Sequence, residues 1–129
     1  MSPDAATRDL MALVVRSIER RTGSQLRFRA ARDGDLGLRA ALRDRPEVVV
    51  ADELASRAGA FALARSLRDD AEAFSGAIVI VLERRQDAWL AAWSGADAWF
   101  VKPVDPFEVA DRLLELIEER GLVPQEDRV

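Results

Sequence analysis

Apolar residues recur along this chain with two periods, and each period marks a type of element. Leu10, Met11, Val14, Val15 and Ile18 stand at helical spacing. Ser2-Pro3-Asp4 ahead of them supplies a hydroxyl cap, a proline for the first helical position and a carboxylate for the first turn. The pattern predicts an opening helix that ends at Thr22-Gly23. Leu26 to Ala31 alternates in the manner of a strand exposed on one side, and Asp33-Gly34-Asp35 turns it into a short helix through Leu36, Ala40 and Ala41. Pro46 stops that helix. Val48-Val49-Val50-Ala51 then reads as a buried strand that delivers Asp52 to its carboxyl end.

The alternation continues to the end of the chain. A loop around 56–58 leads to a helix bearing Phe61, Ala64 and Leu67, with Asp69 to Gly76 as its exit, and Ile78 to Leu82 is a second buried strand. Gln86 to Ser94 predicts a short helix ended by Gly95, and Ala98 to Val101 a last strand. Asp105-Pro106-Phe107-Glu108 is a capping sequence that launches a helix with Ala110, Leu113, Leu114 and Ile117 on one face. Gly121 closes that helix, so the reading is one domain over 1–121 and a frayed tail over 122–129. Strand and helix in alternation predict an α/β fold, a parallel sheet sandwiched by helices, with ligands at the carboxyl ends of the strands.

Composition narrows the chemistry. The chain has 129 residues, 49% of them hydrophobic and 33% charged, enough for one buried core. A net charge of -4, with arginines scattered among acids, argues against nucleic acid as a partner. The apolar runs are too short to cross a bilayer and no leader pattern opens the chain, so a cytoplasmic protein is expected. With no Cys, His or Tyr, the usual thiolates, imidazole bases and soft metal ligands are excluded. Any active chemistry falls to carboxylates, Ser, Thr or lysine.

Only one lysine exists among 19 cationic side chains, Lys102, at the end of Trp99-Phe100-Val101-Lys102-Pro103. A compact ammonium on a flexible stem reaches a phosphate or carboxylate as a point charge, which the arginine fork does not.

From Pro46 onward the chain resembles the receiver domain of bacterial two-component response regulators. Pro46 to Asp52 is similar to the strand that ends in that family's phosphoacceptor aspartate, and Gly59-Ala60-Phe61 to the start of the next helix. Ser94-Gly95-Ala96-Asp97-Ala98-Trp99-Phe100-Val101-Lys102-Pro103 is the most specific part of the likeness. The resemblance covers roughly residues 8 to 120 and implies a CheY-like (flavodoxin-like) fold. It implies that Asp52 accepts a phosphoryl group, that Lys102 contacts it, and that the Lys102-Pro103 peptide is cis.

The sequence also departs from that family. A receiver opens with a strand ending in two acids that hold Mg2+, and the helix cap at Ser2 leaves no room for it. Ala6 and Thr7 stand near the acidic positions, and Asp4 and Asp9 fall on the helix, so no metal site is expected. Where the family has Ser or Thr after its fourth strand, this chain has Leu82 or Glu83, depending on where a short deletion is placed, and Trp99 holds the aromatic switch position. Without the first strand, four parallel strands and five helices are expected, with the first and last helices on one face. A strand supplied by a partner, a second copy or an upstream start is the other possibility.

Two functional readings follow. In the first, the chain is an atypical receiver and not an enzyme. It is a protein interaction module without cofactor, in which Asp52 and Lys102 form a salt bridge. In the second, Asp52 takes a phosphoryl group from a sensor histidine kinase, with Mg2+. Trp89 and Trp99 are expected in the core. Trp93 is the candidate interface residue, on the face of fourth helix, last strand and fifth helix through which receivers dimerise or dock to signalling proteins.

Overall fold

The computed structural model describes residues 5–23, 34–53, 59–69 and 74–119. The cap at Ser2, the strand over 26–31, the loop at 56–58, Gly121 and the tail over 122–129 lie outside the described residues. In chain order the elements are α1 (Ala5–Thr22), α2 (Gly34–Asp44), β1 (Val48–Asp52), α3 (Gly59–Asp69), β2 (Ala77–Leu82), a 3-10 turn (Arg85–Asp87), α4 (Ala88–Trp93), β3 (Ala98–Val101) and α5 (Pro106–Glu119).

The three described strands form a parallel sheet in the order β1-β2-β3. β2 lies in the middle and all six of its residues are buried, as expected of a strand covered on both faces. Its side chains divide between two cores. Ile78, Ile80 and Leu82 pack with Ala60, Leu63, Ala64 and Leu67 of α3, Ala41 of α2 and Ala91 of α4. Ala77 and Val79 pack with Met11, Val14 and Ile18 of α1 and Val109, Leu113 and Leu116 of α5. The first and last helices therefore share one face, as the pattern predicts, and Arg21 of α1 pairs with Asp111 of α5.

Two close approaches fix how the sheet begins. Gly76 allows the starts of β1 and β2 to meet, since a Cβ there would stand 2.5 Å from the Glu47 carbonyl oxygen. At the same end Arg68 of α3 donates from Nε to the Gly95 carbonyl (2.9 Å), from a terminal nitrogen to the Gly76 carbonyl (3.0 Å), and to the Asp97 carboxylate. Asp97 in turn accepts from the Ile78 N–H at 2.7 Å. One guanidinium thus ties α3 to the starts of β2 and β3, its donors spent on two backbone carbonyls and a carboxylate. Gly95 ends α4 with φ of 91°, the left-handed conformation that favours glycine.

Candidate functional site

At the opposite edge of the sheet, the carboxyl ends of all three strands come together. The Glu53 N–H donates to the Val81 carbonyl at 2.8 Å, and the Lys102 N–H to the Leu82 carbonyl at 2.9 Å. These bonds extend the parallel ladders past the strands and hold Asp52, Glu83 and Lys102 in one cluster.

Asp52 is the last residue of β1, and its side chain is fully buried. Lys102, directly after β3, places Nζ 3.0 Å from Asp52 Oδ2. Its second acid is Glu83, the residue after β2, with Oε1 2.5 Å from the same nitrogen. The expected pair of Asp52 and Lys102 is thus a triad of two carboxylates on one ammonium. Burial works against the Lys102 charge, but the hydrogen bonds to Glu83 and Asp52 outweigh it and hold Lys102 above its ordinary value. A buried carboxylate without a cation would be costly, and Lys102 supplies one to Asp52.

A second pair flanks the first. Glu53 accepts the Glu83 N–H, which pins the loop after β2 to the end of β1. Burial and a hydrogen bond shared with Asp87 push the Glu53 carboxyl up, against the lowering effect of the Glu83 and Arg84 N–H groups. The same hydrogen bond holds Asp87 below the usual carboxylate range, helped by Arg84, whose Nε lies 3.4 Å from Asp87 Oδ2. The two carboxyls are thus pushed in opposite directions, Glu53 up and Asp87 down. Neither residue is singled out by the sequence pattern; adjacency of Glu53 to Asp52 is the only signal there.

The remaining sequence candidates are distributed as follows. Leu82 is the buried end of β2 and packs in the core, so Glu83 is the residue of the switch region that faces Lys102. Thr7 is buried in α1 and Asp9 is exposed there. Among the described residues no group of three or more acids is set to hold a metal ion.

The tryptophans correct the sequence reading. Trp89 and Trp99, expected in the core, are 66% and 38% exposed, and Trp93 is 60% exposed. The short α4 packs on the sheet through Ala91 and Ala88, which turns Trp89 and Trp93 outward. Trp99 lies on β3, the edge strand of the described sheet. Arg65 of α3 stacks its guanidinium 5.4 Å from the centre of the Trp93 ring. Phe107 at the start of α5 is also exposed.

The Lys102-Pro103 peptide is cis, as the resemblance implies. Comparison with solved structures shows what this arrangement is similar to. The receiver domain of a sensor histidine kinase from Pseudomonas aeruginosa, with magnesium coordinated in its active-site cleft, superposes with a TM-score of 0.77 at 17% identity, over 92% of this chain and 93% of that one. The chain has the fold of a response-regulator receiver domain.

The signal receiver domain of a histidine kinase from Syntrophus aciditrophicus matches this receiver fold with a TM-score of 0.75 at 19% identity, over 100% of this chain and 93% of that one. A chemotaxis protein of Vibrio cholerae matches with a TM-score of 0.72 at 18% identity, over 89% and 92%. In sequence, the chain is 32% identical over 71 residues to two uncharacterized response regulatory proteins of Mycobacterium tuberculosis, covering 55% of this chain and 53% of each relative. The match thus spans about half the length of the curated relatives. No family model matches the chain. No helix among the described residues is long and apolar enough to cross a membrane.

Proposed function

We propose that this receiver acts in two-component signalling as a protein interaction module, not an enzyme, and that it works independently of phosphorylation. The observation that carries this reading is the state of Lys102. The cation that would meet a phosphoryl group is shared between the buried Asp52 and Glu83, at 3.0 and 2.5 Å. A phosphoryl group arriving at Asp52 would have to displace Glu83 and would meet its charge at close range. Asp52 and Lys102 instead close the strand ends and hold the scaffold.

The working surface is then α4, β3 and the start of α5, where Trp89, Trp93, Trp99 and Phe107 stand exposed. Aromatic rings of this size expose much apolar area, and tryptophan is enriched where binding energy is concentrated. The occupant is a signalling protein or a second copy of the chain. Sedimentation velocity of the wild type and of the double variant Trp89→Ser, Trp93→Ser, each with and without acetyl phosphate and Mg2+, tests the self-association arm. For a signalling-protein partner, the same comparison is made by pull-down against a sensor histidine kinase. Association that needs the tryptophans and ignores acetyl phosphate is the expected result. Association that appears only with acetyl phosphate would overturn the reading.

The second reading, a phosphoacceptor serving a sensor histidine kinase with Mg2+, is favoured by the position of Asp52 at a strand end beside Lys102. Magnesium coordinated in the active-site cleft of the Pseudomonas aeruginosa domain belongs to this reading.

A further inference from the structure

α1 and α5 lie side by side on one face of the sheet, and they carry opposite charge. α1 holds four arginines against two acids, and α5 five acids against one arginine. On α1, Leu13, Arg16 and Arg20 follow at three- and four-residue steps and share one stripe. All three are exposed, Leu13 by 51%. On α5, Asp111, Glu115 and Glu118 form an exposed stripe of the same kind. The seam between the helices is joined by the pair of Arg21 and Asp111, and Glu115 meets Arg112 within α5. Arg16, Arg20 and Glu118 have no ion pair among the described residues.

We propose that a second copy of this chain docks on this face, with α1 of each copy against α5 of the other, about a two-fold axis that runs along the seam. Such an axis turns the same patch onto itself and lays each ridge on the opposite one. A basic ridge beside an acidic ridge is therefore complementary to its own copy, whereas a face of one sign would repel it. The contact gives Arg16 and Arg20 the acids they lack within the chain and covers Leu13 at the middle of the basic stripe. With 18 residues, α1 is about 27 Å long, so the two helices together offer a face at the lower end of specific interfaces. The inference goes beyond the reading of the α4 surface and does not depend on it. Association through the tryptophans is a further step from this dimer.

The experiment uses the full chain and two charge reversals, Arg16→Glu with Arg20→Glu, and Glu115→Arg with Glu118→Arg. The first breaks no ion pair among the described residues, and the second leaves Arg112 its contact with Glu119. Sedimentation velocity is run over a range of protein concentration at about 50 and 500 mM NaCl. The expected result is a wild-type dimer that weakens in high salt, and self-association about tenfold weaker or more in each reversal. An equimolar mixture of the two reversals should form a mixed dimer, identified by native mass spectrometry, which a folding defect in either variant would not produce. Leu13→Ser should also weaken the dimer, and Trp89→Ser with Trp93→Ser should leave it intact. A wild type that is monomeric throughout, a dimer that both reversals leave unchanged, or a mixture without mixed dimer would overturn the inference. None of these outcomes bears on whether Asp52 is phosphorylated.

Discussion

Lys102 Nζ stands 3.0 Å from Asp52 Oδ2, with the Asp52 side chain fully buried and that of Lys102 21% exposed. A buried carboxylate held by one cation makes that cation hard to remove. Lys102→Met is expected to cost about 3–5 kcal/mol in urea unfolding, because the buried Asp52 carboxylate loses its cation. Asp52→Asn in the same background should recover most of the loss, since the uncompensated charge is gone. A single variant as stable as wild type would show that the pair does not hold the strand ends.

Glu53 and Asp87 give stability a dependence on pH. The Glu53 carboxyl lies above its ordinary value, so its contribution is full below the unfolded value and is lost as pH rises through the folded one. Asp87 is held low, so its contribution is present above the unfolded value and is lost as pH falls through the folded one. Glu53→Gln keeps a donor to Asp87 and an acceptor for the Glu83 N–H at every pH. Its melting temperature is expected to gain on wild type as pH rises from about 4.5 to 7, and Asp87→Asn should shrink that gain. A difference that stays flat across this range would contradict the raised Glu53 carboxyl.

Gly76 and Gly95 rank differently because of what surrounds them. A methyl at Gly76 meets the Glu47 backbone at 2.5 Å, which only separation of the two strands relieves. At Gly95 it meets Arg68 Cγ at 2.7 Å, with φ of 91° adding backbone strain. Gly23, with φ of 69°, has open space around its Cβ. Alanine at Gly23 should cost about 1 kcal/mol, and at Gly76 and Gly95 clearly more. Thermal unfolding of the three variants checks the order, and Gly23→Ala as the most damaging would refute it.

Trp89 and Trp93 are exposed and should be dispensable for folding. Trp93→Ser loses the stack on Arg65, worth about 0.5–1 kcal/mol at an exposed site, and little else. An unfolding midpoint close to that of wild type, measured by circular dichroism in urea, is expected for the Trp89→Ser, Trp93→Ser pair. A loss of several kcal/mol would show that these rings belong to the core.

The order of elements was legible because each buried strand is a continuous apolar run and each helix carries a clear stripe. The boundaries of β1, β2 and β3 follow Val48–Asp52, Ala77–Leu82 and Ala98–Val101 closely for that reason. Asp52 and Lys102 were legible from their place at strand ends and from the family likeness. The tryptophans were not, because hydrophobicity alone does not say which face of a helix or strand is covered. In α4 the small Ala88 and Ala91 face the sheet, so the large residues point out. Glu53, Asp87 and the Arg68–Asp97 tie were also hidden, since their roles depend on loops meeting across strands and leave no period in the sequence. Among the described residues the sheet has three strands, and the fourth expected strand lies outside them.

We propose that Asp52, closed by Lys102 and Glu83, does not serve as a phosphoacceptor. Intact mass of the full chain after incubation with acetyl phosphate and Mg2+ tests it most directly, with Asp52→Asn in parallel. The account predicts no added mass in either protein. A gain of one phosphoryl group in wild type that Asp52→Asn abolishes would contradict it.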